Sequence, residues 1–146
     1  MITKTDYEEA RNPDPVDVIL MQDRAFGPDR IDIDLWLRSL HDPVRLVRDG
    51  DAKGLVLDYA GVIEELLRTE KAARKDGIVK LRTRILTHLQ PTEDLAIIAS
   101  HRDRLSAQNV VLGTTSMTWT LTRPDGIWRI SQIFFDSPSY SMRDDS

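Results

Sequence analysis

Cysteine is absent from all 146 residues. That excludes disulfides, thiolate nucleophiles and Cys-based zinc or iron–sulfur sites, and it fits a reducing cytoplasm. No apolar run approaches the roughly 20 residues of a transmembrane helix. Positive charge is also short: the formal net charge is −4, whereas general nucleic-acid binding needs a basic surface. The histidines, His41, His88 and His101, show no ligand spacing such as H-x-x-x-H, so no metal site is expected. Neither a phosphate loop nor a G-x-S-x-G elbow occurs, and no cofactor is expected. What is present is 40% apolar and 30% charged residues, an ordinary globular balance in a length that suits one domain with a real core. The expectation is a soluble, cytoplasmic protein with no membrane or nucleic-acid partner.

Residues 1–15, MITKTDYEEARNPDP, are polar and acidic, unlike a signal peptide, and read as a loose arm. Residues 16–136 read as the domain and 137–146 as a polar tail. VDVILMQDRAF forms a short helix that Gly27-Pro28 ends. Asp32 or Asp34 caps a second helix with Leu35, Trp36 and Leu40 inward, and Pro43 marks its exit. Val44–Arg48 and Gly54–Asp58 are two short strands around an Asp-Gly-Asp turn. Asp58 caps a third helix over about 59–75, with Val62, Ile63, Leu66 and Leu67 as its apolar stripe and Gly77 as its stop. From Gly77 the period becomes two, giving four long strands. Leu81, Thr83 and Ile85 share one face of the first of them, and Lys80, Arg82 and Arg84 the other. This is an α+β plan, with three helices of the N-terminal half covering one face of a curved, mainly antiparallel sheet of about six strands.

The stretch SMTWTLTRPDGIWRISQIFFD is a hairpin: Pro124 and Asp125 suit the centre of a type I turn, and Gly126 supplies positive φ. The implied register puts Leu121 opposite Trp128, Trp119 opposite Ile130 and Met117 opposite Gln132. Met117, Trp119, Leu121, Trp128, Ile130 and Phe134 then share the dry face. Met117, Trp119, Trp128 and Phe134, with Trp36 from the second helix, are the candidate ligand-lining residues, although tryptophans in such positions also serve simply as core. The threonine-rich opposite face, Thr114 to Thr122, suits either solvent or a homodimer contact.

A short loop near Ser106-Ala107-Gln108 would set His101 opposite Gly113 and Asp103 opposite Val111, with Asp136 completing a row across three strands. A histidine held by Asp136 or Asp103 in an apolar pocket is a tunable general base. Gln132 beside it would donate a hydrogen bond to a developing enolate oxygen. A one-residue slip in that loop instead turns His101 and Asp103 outward, making HRDR a surface ladder of ion pairs.

The stretches DLWLRSLHDPVRLV, GLVLDYAGVIEELL, PTEDLAIIASHRDRL and TSMTWTLTRPDGIWRI, in this order over roughly residues 16–136, resemble the NTF2-like superfamily, in particular its SnoaL-like branch. The resemblance implies a cone-shaped α+β barrel, usually dimeric, with a pocket between helices and sheet. It also implies binding of a small apolar or carbonyl-containing molecule, in some members with metal-free isomerase, cyclase or dehydratase chemistry and in others with binding or assembly only. Ketosteroid isomerases share this plan, with a tyrosine on the first helix and an aspartate near the end of the first strand. Here the first helix has no tyrosine and Asp49 falls in a turn, so that mechanism does not carry over.

Overall fold

A computed structural model describes residues 13–135. Helix α1 (Pro15–Ala25) starts at Asp14, whose carboxylate accepts from Asp17 N at 2.9 Å, with proline in the first turn. Helix α2 (Ile33–Arg38) is a short piece capped by Asp32. Helix α3 (Tyr59–Lys75) is capped by Asp58, which accepts from Gly61 N at 2.8 Å. It ends in a Schellman arrangement: Gly77 takes φ +83°, and Ile78 N donates to Ala73 O at 3.0 Å.

The strands are β1 (Leu40–Arg48), β2 (Asp51–Leu57), β3 (Lys80–Thr92), β4 (Leu95–Leu105), β5 (Val111–Thr122) and β6 (Arg129–Phe135). Among the described residues they form one sheet in the order β2-β1-β6-β5-β4-β3. All pairings are antiparallel except β1 with β6, which is parallel. The α+β plan of three helices on a curved six-stranded sheet therefore stands. β1 corrects one boundary: Leu40 pairs with Ile130 instead of closing α2, so the strand starts four residues earlier than its Val44 signal.

The core lies between the helices and the inner sheet face: Val18, Ile19, Val62 and Leu66 meet Ile98, Trp119, Leu121 and Ile130. Of the stripe expected on α3, Val62 and Leu66 are buried, but Leu67 is 50% exposed. No helix among the described residues is long and apolar enough to cross a membrane.

Two registers differ from expectation, and both decide which residues face inward. The β4–β5 turn runs over Ser106–Val110, with Ser106 N donating to Val110 O and Asn109 in the left-handed region at φ 63°. That turn pairs Leu105 with Val111, and a register shift between Arg104 and Leu105 then sets His101 opposite Ser116 and Asp103 opposite Thr114. The offset from the expected pairing is three residues, an odd number, so His101 and Asp103 lie on the outer face and Arg102 and Arg104 on the inner one. In the β5–β6 hairpin the Arg123–Gly126 turn forms as expected, with Gly126 at φ +85°. Leu121 pairs with Ile130 instead of the expected Trp128, a two-residue offset that keeps the parity, and a bulge at Thr120/Leu121 then shifts the ladder by one residue more. Thr118 pairs with Phe134 and Thr120 with Gln132 on the outer face, while Ile133 and Phe135 turn inward.

Candidate functional site

Between the helices and the concave sheet face lies a cavity of about 140 Å³. A dry apolar cavity of roughly this size, ~150 Å³, takes up a benzene-sized molecule. Phe26, Ile31 and Trp36 form one side; Val62, Leu66, Thr69 and Ala73 of α3 form the roof. Leu40, Val44, Leu46, Leu57, Leu81, Met117, Ile133 and Phe135 line the sheet side. The polar lining is confined to Gln22, Glu65, Thr69, Arg102, Arg104 and Thr115.

Arg74 fixes the wall near Phe26. Its guanidinium lies 4.1 Å from the Phe26 ring centroid and donates to Gly27 O at 2.6 Å and Pro28 O at 3.1 Å. Glu70 Oε2 completes the tie by accepting from Ile31 N at 2.9 Å.

The polar side of the cavity rests on a network joining α1 to the sheet. Arg102 donates to Gln22 Oε1 at 2.9 Å and Thr83 Oγ1 at 2.8 Å, and pairs with Asp23 at 3.3 Å. Gln22 Nε2 passes on to Ser39 Oγ at 3.0 Å, and Thr83 N donates to Asp23 at 2.7 Å. The Arg102 guanidinium also stands 4.9 Å from the Trp119 ring, whose Nε1 donates to Ser100 Oγ at 2.8 Å. Burial lowers the Arg102 pKa from its ordinary value, and the charge of Asp23 opposes that fall. Arg102 still remains a cation at neutral pH. Arg104, two residues on, donates to Thr115 Oγ1 and lies over Gly113, where a Cβ would collide with its guanidinium. Glu65, the carboxylate of the lining, is held by Arg68 Nη2 at 2.7 Å.

Of the residues expected at a site, Trp36 and Met117 line the cavity. Trp119 and Trp128 are buried core beyond its wall, and Arg123 stacks over Trp128 at 4.9 Å. Phe134 and Gln132 are on the outer face because of the bulge. His101 and Asp103 are there too, so the expected row of general base and orienting carboxylate is not assembled in the cavity. Asp136 lies outside the described residues. Asp103 instead closes an outer-face cluster, accepting from Arg82 at 2.8 Å, Arg84 at 3.0 Å and Thr114 at 2.8 Å. Burial acts to raise its pKa, but hydrogen bonds from Arg84, Arg82 and Thr114 prevail and bring the carboxyl down to about 2.

The β4 polar residues that do reach the cavity, Arg102 and Arg104, alternate with the expected pair inside HRDR. The preceding run LAIIA is apolar at every position and so carries no period-two signal to decide which parity faces inward. The described residues hold no cluster of three or more potential metal ligands.

No family model and no curated protein matches the sequence. Solved structures do match in shape. An NTF-2 like protein of unknown function from Shewanella oneidensis MR-1 is 17% identical, with a TM-score of 0.61, over 84% of this chain and 95% of that one. Aln2 from a Streptomyces species is 16% identical, with a TM-score of 0.60, over 92% and 91%. The chain has the NTF2-like fold. TerC, co-crystallised with polyporic acid, is a further structure of similar shape, 19% identical with a TM-score of 0.51 over 85% and 91%. At these identities the likeness is one of architecture, and chemistry must be argued from this chain's own NTF2-like cavity.

Proposed function

We propose that this chain is a SnoaL-like pocket protein that binds one small, largely apolar molecule inside the cone. The observation that carries this reading is the 140 Å³ cavity, whose largely apolar lining is drawn from both the helices and the sheet. TerC, with the same architecture, was co-crystallised with polyporic acid, which makes a cyclic organic ligand a reasonable class here. Proton transfer by His101 is not part of this reading, because that ring points away from the cavity.

Titration with acetophenone and benzamide, followed by ligand-observed NMR, tests the proposal. Saturable binding that Thr69→Phe abolishes is expected, since Thr69 lines the roof and a phenyl ring there fills the space. Absence of saturable binding, or binding unchanged in Thr69→Phe, refutes it.

A second copy of the chain is proposed on the outer sheet face. Phe134 and Ile97 stand half-buried there among threonines, and Leu89 is 60% exposed. Phe134→Asp should convert a dimer to a monomer in light scattering; a wild-type monomer at working concentration would end this reading.

A further inference from the structure

We propose that the ligand is a small carboxylic acid bound as its anion, with its carboxylate at Arg104 and Thr115 and its apolar body beneath α3. The inference rests on the pocket reading above and names the chemistry of its ligand.

The lining is largely apolar, and few charged groups reach it. Two guanidinium groups, Arg102 and Arg104, line the cavity together with one carboxylate, Glu65. The two arginines divide the work. Arg102 is committed to the fold: it donates to Gln22, Thr83 and Ile19 O, and its charge is paired with Asp23 at 3.3 Å. It fixes the cation deep in the wall and holds β4 in place. Arg104 is less buried than Arg102 and stands beside the hydroxyl of Thr115. Gly113 allows this placement: without a Cβ on β5, the guanidinium occupies the space over the strand at the cavity wall.

A neutral ligand of the same shape gains the apolar burial and ordinary hydrogen bonds. A carboxylate gains charge-assisted ones from a planar fork, in surroundings that screen charge poorly. That difference corresponds to about tenfold in affinity.

Isothermal titration calorimetry at pH 7.5 with benzoate and 2-naphthoate, against benzamide and 2-naphthamide, tests the proposal. The expected result is that at least one acid binds about tenfold more tightly than its amide. Arg104→Gln should erase that preference by lowering the acid's affinity to that of its amide, and Arg104→Lys should retain part of it. If Arg104→Gln fails to give a cooperative thermal transition, Thr115→Val and Gly113→Ala disturb the same corner without deleting the charge, and each should reduce the preference. Equal binding of acid and amide overturns the charge assignment and leaves the apolar pocket standing. A preference that survives in Arg104→Gln, or in both substitute variants, overturns the role of Arg104. Failure of all four compounds to bind overturns the pocket reading and this inference together.

Discussion

Arg102 Nη1 donates to Gln22 Oε1 at 2.9 Å, joining the middle of β4 to the buried face of α1. Both side chains are sealed from solvent, so each depends on the other for partners that water would otherwise supply. Arg102→Ala should cost about 3–5 kcal/mol, because it strands the Asp23 carboxylate and the Gln22 amide together. Urea denaturation measures this, and a loss below about 1 kcal/mol would mean that the network does not hold α1 on the sheet.

Asp103 gives a pH signature on the opposite face. Its folded pKa, about 2, lies below the ordinary 3.8. A depressed carboxylate stabilises the fold above its unfolded pKa, and that contribution is lost as pH falls from about 4 through 2. Arg82 and Arg84 are half exposed, so solvent screening limits the effect to no more than about 2 kcal/mol. Asp103→Asn should lower stability at pH 7 and flatten the loss between about pH 4 and 2. Parallel denaturation curves for wild type and variant across that window would contradict the assignment.

The elements were legible in the sequence because their signals are local. Asp32 and Asp58 cap helices, Gly77 stops one, and Pro124-Asp125-Gly126 makes the hairpin turn, whereas the Asp14 cap and the start of α1 at Pro15 fall inside what reads as a loose arm. The site was not, because it depends on parity. A register shift between Arg104 and Leu105 beside the β4–β5 turn, and one bulged residue near Thr120, exchange inside for outside along β4 and the end of β6. Trp119 escaped the exchange because β5 keeps its own alternation, and its indole is anchored by Ser100. His101, Gln132 and Phe134 did not. The Arg102–Gln22–Ser39 network joins residues up to 80 positions apart, and no spacing rule in the chain announces it.

His101→Ala follows directly from that parity. The ring is on the outer face, between Arg84 and Ser116 in the ladder, and contributes nothing to the cavity wall. The variant should stay within about 0.5 kcal/mol of wild type and bind small organic molecules with unchanged affinity. A large loss of ligand binding, seen by calorimetry with the fold intact by circular dichroism, would return His101 to the site.

Gly113→Ala is the sharper probe of the inner face. Gly113 needs no positive φ, so alanine is compatible with the strand backbone. Its Cβ would collide with Arg104 Nη2 and lie tightly against Arg104 Cζ at 3.0 Å and Nε at 3.1 Å, so something must shift. The obstacle is the far end of a flexible side chain, so the guanidinium moves and the strand stays. Stability should change by less than about 1 kcal/mol, since a glycine-to-alanine exchange inside a strand offsets part of the disturbance. The cation, however, leaves its place beside Thr115. Discrimination between benzoate and benzamide should therefore fall toward that of Arg104→Gln while the thermal midpoint barely moves. Discrimination kept at the wild-type level would show that the position of Arg104 over Gly113 is irrelevant to what the cavity selects.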